Sequence, residues 1–136
     1  MRYVIPLAIA LSLGACSGAA PAPSFDTEPL PATVVLRVGE SHTFGPSVVQ
    51  FSEVKGDSRC PVDVVCVWAG NAEVALVVGP AVGEGPSQLI AINTLLEPLV
   101  GSARGLRFRL IALAPEPRTT DTQRAYVATI RVERAE

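Results

Sequence analysis

The sequence predicts an all-β domain, a small antiparallel β-sandwich of six to eight strands, with a small β-barrel as the alternative closure. Three observations lead there. Apolar residues recur at every second position in several segments, the period of a strand with one buried and one wet face. Gly and Pro interrupt these segments at short intervals. No stretch of eleven residues or more sustains the 3.6-residue period of a helix. Because several strands pattern on one side only, two packed sheets are preferred to a barrel.

Thr33 to Val38 alternates, with Val34, Leu36 and Val38 on one side. Gly39-Glu40 is a turn signal, and Ser41 to Gly45 reads as a short return strand. Val48 to Val54 follows, with Val49 and Phe51 on one face. Ala72 to Val78 sets Ala72, Val74, Leu76 and Val78 inward and Glu73 outward. Gly79, Pro80, Gly83, Gly85 and Pro86 then break the chain before an apolar run from Gln88 to Thr94. Leu95 to Ala103 has room for a helical turn at most, limited by Pro98 and Gly101. Leu106, Phe108 and Leu110 alternate with Arg107 and Arg109, and Pro115 and Pro117 stop that strand. After a polar loop from Arg118 to Gln123, Tyr126, Ala128, Ile130 and Val132 form a closing strand.

The segment before this domain has a different character. Arg2 is followed by an almost wholly apolar run from Val4 to Leu13 and then by the small residues Gly14 and Ala15. A positive start, an apolar stretch of about ten residues and a small-residue exit describe an export signal. The run is too short for a membrane-spanning helix, which needs roughly twenty residues. Leu13-Gly14-Ala15-Cys16 resembles the lipobox of bacterial lipoproteins. That resemblance implies cleavage before Cys16 and diacylation of its thiol, an anchor that two or more acyl chains make nearly permanent. Residues 1–15 are thus expected to be a signal peptide and residues 16–32 a lipid anchor with a Pro/Ala-rich linker. Residues 33–136 are expected to be the folded domain. At about 3 Å per residue the linker would reach up to roughly 45 Å from the lipid. Ser17, next to the anchor, is not the acidic residue of an inner-membrane retention signal. This resembles an outer-membrane destination where the envelope has two membranes.

Composition excludes some functions. Without residues 1–15 the chain would carry ten basic and thirteen acidic groups, a formal −3, with Lys55 its one lysine. No basic patch stands out, so nucleic acid is not an expected partner. Aromatic residues make up 5% of the chain, which leaves Val, Leu, Ile and Ala to build the core.

If Cys16 carries lipid, two cysteines remain, Cys60 and Cys66. Export places them where disulfides persist, so their pairing is expected. They lie in the most unusual segment, Asp57 to Gly70, which also holds the one tryptophan, Trp68, together with Asp57, Arg59 and Asp63. This segment, DSRCPVDVVCVWAG, resembles a family of small secreted or lipid-anchored bacterial proteins that share D-S-R-C-P-x-x-V-x-C-x-W-x-G. Members of that family also tend to carry L-x-x-L-x-P-x-P near the C-terminus, here Leu110 to Pro117, followed by a closing strand, here with Tyr126. The resemblance covers most of residues 33–134. It supports the domain and the disulfide but implies no activity, since the family has none established.

Two readings of this loop stay open. As structure, the disulfide staples the loop, Trp68 lies over it and covers the end of the sandwich, Arg59 pairs with Asp57 or Asp63, and Gly70 admits a close chain approach. As function, Asp57, Arg59, Asp63 and Trp68 form a binding loop on a rigid scaffold, suited to a glycan, peptide or protein of the envelope. Metal is not expected. Asp57 and Asp63 supply too few oxygens for calcium, and a site of Cys60, Cys66 and His42 would need reduced thiols. No cofactor is implied. No catalytic residue is assigned either: His42 is the one histidine, G-x-S-x-G is missing as a nucleophile motif, and the cysteines are spaced too far apart for C-x-x-C. The sequence therefore reads as a non-catalytic binding or interaction module of the bacterial envelope. The alternatives are an envelope hydrolase with an unrecognised site and a purely structural envelope protein.

Overall fold

The computed structural model describes residues 29–136. The expected export signal, Cys16 and the greater part of the expected linker lie outside the described residues. The domain is a β-sandwich of two four-stranded sheets, antiparallel throughout. The strands are β1 (Ala32–Arg37), β2 (Ser41–Phe44), β3 (Ser47–Asp57), β4 (Ala72–Pro80), β5 (Gln88–Asn93), β6 (Val100–Ala103), β7 (Leu106–Ala114) and β8 (Val127–Arg134). One sheet has the order β1-β8-β7-β6, the other β2-β3-β4-β5. The chain thus leaves the first sheet after one strand, builds the second as a meander, and returns for three strands. The last of these enters between β1 and β7.

Alternation explains the core. Val49, Phe51, Val74, Leu76 and Val78 from one sheet meet Phe108, Ile130 and Val132 from the other, all fully buried. Removing this apolar area from water is the main force holding the sheets together. Two departures from strict alternation shape the loop end. In β3 the register against β4 shifts between Phe51 and Glu53 and again between Val54 and Gly56. In β7 it shifts between Leu110 and Ala112. The extra residue in β7 changes the parity of the strand, so Leu113 faces inward opposite Ala128, whereas Leu106, Phe108 and Leu110 had set the opposite parity.

Three boundaries differ from expectation. Ala32 is buried and Leu30 packs against the core, so the last residues of the expected linker belong to the domain. Val38 falls outside β1 and is exposed. The segment allowed a helical turn contains a fourth strand for the first sheet, β6. Gly101 sits there opposite Phe108, and a Cβ on it would come within 3.0–3.1 Å of Ile90 and Ile92. Gly101, expected only to limit a helical turn, has no room for a side chain because the facing sheet lies this close.

Candidate functional site

The segment from Asp57 to Gly70 leaves the end of β3 and returns at the start of β4. Cys60 and Cys66 are disulfide-bonded, with Cα atoms 5.9 Å apart. Closing so short a ring contributes about 2 kcal/mol through the unfolded chain. The two legs of the loop are also bonded to each other. Ser58 N donates to Asn71 O at 2.8 Å, Asn71 N to Ser58 Oγ at 3.1 Å, and Cys60 N to Ala69 O at 2.9 Å. Gly70 lies between these bonds with φ +72°, and a Cβ there would run into the Ser58 carbonyl. The expected close approach at Gly70 is therefore present.

Asp57 and Arg59 of the segment face inward and anchor it. The Asp57 side chain is 3% exposed. Its Oδ1 accepts from Arg59 Nε at 2.9 Å and its Oδ2 from Arg59 Nη2 at 2.8 Å, a bidentate pair. Oδ2 also accepts from the Tyr126 hydroxyl at 3.0 Å and from Arg124 Nη1 at 3.3 Å. Burial alone would raise the Asp57 pKa. The hydrogen bonds and charge of Arg59, with the Tyr126 hydroxyl, outweigh it and hold the carboxyl below its usual range. Arg59 continues across the sandwich, donating to Leu113 O at 2.6 Å and Pro115 O at 2.9 Å. The DSRC segment, the Leu-Ala-Pro segment and Tyr126, distant in sequence, thus meet at one carboxylate and one guanidinium.

Asp63 has a separate task. Its carboxylate accepts from the Thr119 backbone N–H at 3.0 Å and from the Thr119 hydroxyl. These bonds, that from the hydroxyl foremost, lower its pKa. Together with Val62 N donating to Pro117 O, they tie the stapled loop to the loop between β7 and β8. Asn71 organises a third loop. Its Oδ1 accepts from Leu95 N and Leu96 N at 3.0 and 3.2 Å, and its Nδ2 donates to Asn93 Oδ1 at 2.7 Å.

The apolar residues of the same segment face outward. Trp68 is 82% exposed, Val67 92%, and Val65 fully. Val62 and Val64 are about half exposed, as are Leu95 and Leu96 on the adjoining loop. Trp68 therefore does not cover the end of the sandwich, as the structural reading of the sequence had it. Arg59 chooses Asp57 over Asp63. The four residues expected to share one surface divide in two: Asp57, Arg59 and Asp63 hold the loop, and Trp68 is displayed by it. Arg124, Tyr126 and Asn71 carry as much of the geometry as the motif does. Only Tyr126 stood out beforehand, as part of the closing strand. His42 lies on β2 with its ring 4.7 Å from that of Phe44, away from this loop.

A rigid loop that turns Asp57 and Arg59 inward and its valines and tryptophan outward can bind an apolar surface. Among the described residues no group of three His, Cys, Asp or Glu side chains is placed to hold a metal ion. Comparison with protein-family models, with curated proteins and with solved structures finds no match to this chain.

Proposed function

We propose that this chain is a lipid-anchored protein of the bacterial envelope whose sandwich presents the Cys60–Cys66 loop to a protein partner, without catalysis. The observation that carries the reading is the exposure of Val65, Val67 and Trp68 on a loop held by a disulfide and by buried charge. Contiguous exposed apolar side chains mark interaction sites, and tryptophan is enriched among residues that dominate binding energy. A loop already fixed in shape loses little entropy on binding.

The direction of the chain supports a protein partner over the anchoring membrane. β1 begins at Ala32 opposite Val132 and ends at Arg37 opposite Val127. Tyr126, just before Val127, touches Asp57 at the root of the loop. Ala32, where a tether would enter, therefore lies at one pole of the sandwich and the apolar tip at the other.

Two results are expected. Cys16→Ser frees the protein from membranes, which sedimentation after a high-salt wash checks; a variant that still sediments refutes the anchor. The double variant Val67→Ser, Trp68→Ser keeps its unfolding free energy within about 0.5 kcal/mol, because both side chains are already in water. It loses at least tenfold in partner capture, on the scale of a dominant interface residue. In-cell crosslinking of wild type and variant measures this, and equal capture of the same protein by both refutes the loop as the contact.

A further inference from the structure

A second feature lies on the outward face of the sheet β1-β8-β7-β6, away from the loop. Arg107 and Arg109 on β7 and Arg131 and Glu133 on β8 point to solvent. In the ladder, Arg107 stands opposite Glu133 and Arg109 directly opposite Arg131. On the other side β6 places Ser102 beside Arg107 and Val100 beside Arg109. These six residues line a depression of about 360 Å³.

The charges within it do not balance. Glu133 Oε1 accepts from Arg131 Nε at 2.6 Å, so the one carboxylate is taken by one guanidinium. The guanidiniums of Arg107 and Arg109 make no hydrogen bond among the described residues, and both still act on Glu133 through their charge. Three cations and one anion leave a local +2 on a chain whose formal charge is −2. Like charges directly opposite on neighbouring strands destabilise a sheet, and a threonine at either position would remove the conflict. Retaining two opposed arginines costs stability, and a bound anion is what would offset it.

We propose that this depression binds a phosphate monoester group. A phosphate monoester carries about −1.5 to −2 near neutral pH, which matches the local surplus, whereas a carboxylate would neutralise half of it. Guanidinium forks bind phosphate oxygens in pairs, and Arg107 and Arg109 have their donors uncommitted. Ser102 adds a hydroxyl at the rim. A soluble phosphate ester and a phosphate-bearing lipid headgroup offer the same chemistry.

The test is the thermal unfolding of the full chain in detergent micelles, with chloride as the control at matched ionic strength. Inorganic phosphate, titrated to tenfold over its Kd, raises the wild-type Tm by about 4 °C. In phosphate-free buffer Arg109→Thr melts about 2–4 °C above wild type, because the opposed charges are gone, and no longer responds to phosphate. Arg107→Gln loses the response as well. Mixed micelles of phosphatidic acid or phosphatidylcholine form the second arm. A shift with phosphatidic acid that exceeds the shift with free phosphate assigns the group to a lipid headgroup, and the reverse assigns it to a soluble ester. A wild-type Tm unmoved in both arms, or an Arg109→Thr response equal to that of wild type, overturns the proposal.

Discussion

Asp57→Asn is expected to cost about 3 kcal/mol of folding stability, on the scale of breaking a buried ion pair by removing one partner. The shape of the side chain is kept and only the charge is lost. What remains is two guanidiniums, Arg59 and Arg124, 15% and 19% exposed and without their shared carboxylate. Arg59 also spans from β3 to the carbonyls of Leu113 and Pro115. Losing its orientation therefore loosens the junction of both sheets as well as the loop. Urea unfolding measures the loss, which corresponds to a fall in Tm of roughly 12 °C or more. The same experiment has a pH signature. The folded carboxyl has a pKa below its ordinary value, so its stabilisation is fully present above the unfolded pKa of about 3.9 and is lost as pH falls through the folded value. Wild type should therefore lose stability below about pH 4 more steeply than Asp57→Asn, and the two should converge in acid. Tyr126→Phe, which removes one hydrogen bond to the same carboxylate, should cost about half as much. An Asp57→Asn protein as stable as wild type at neutral pH would show that the network holds nothing.

The fold was legible where packing follows strict alternation. Val34 and Leu36 on β1, and Ala128, Ile130 and Val132 on β8, need no knowledge of their partners to be read as one face. The sandwich, expected with six to eight strands, followed from such segments. β6 was not legible, because Val100-Gly101-Ser102-Ala103 is shaped by Ile90, Ile92 and Phe108 in other strands, and no local pattern encodes that closeness. The bulge in β7 was hidden for the same reason. A change of parity between Leu110 and Leu113 looks like the end of a strand until β8 is seen continuing beside it.

The loop shows a different limit. Asp57, Arg59, Asp63 and Trp68 were found together because they are unusual residues in one short segment. Which of them face solvent was decided elsewhere, by Arg124, Tyr126 and Thr119, between 56 and 69 positions away. With only its own segment in view, Trp68 is as readily a cover for the disulfide as a contact. Once Asp57 is engaged inward and Asp63 is held by Thr119, the tip offers mainly valines and the indole. The valines, unremarked in the sequence, are the larger part of the surface that the loop offers.

Gly70→Ala is the second large effect, and it separates backbone conformation from space. Gly39 and Gly70 both have positive φ, +88° and +72°. A Cβ on Gly39 meets nothing within 4 Å, so Gly39→Ala should cost only the left-handed conformation, about 1–2 kcal/mol. At Gly70 the same methyl would strike the Ser58 carbonyl and come within 2.8 Å of the Arg59 Cα, both backbone atoms that cannot rotate away. The legs of the loop must separate, and the bonds Ser58–Asn71 and Cys60–Ala69 open with them. Each such bond contributes about 1 kcal/mol, so the total should reach about 3 kcal/mol or more. The damage should also travel. Displacing Asn71 releases the Leu95–Leu96 turn, and displacing Arg59 strains its pair with Asp57. Hydrogen exchange should therefore rise at Leu95 and Leu96 in Gly70→Ala and stay unchanged there in Gly39→Ala. If the two glycine variants unfold at the same urea concentration, the close approach of the loop legs has no energetic weight.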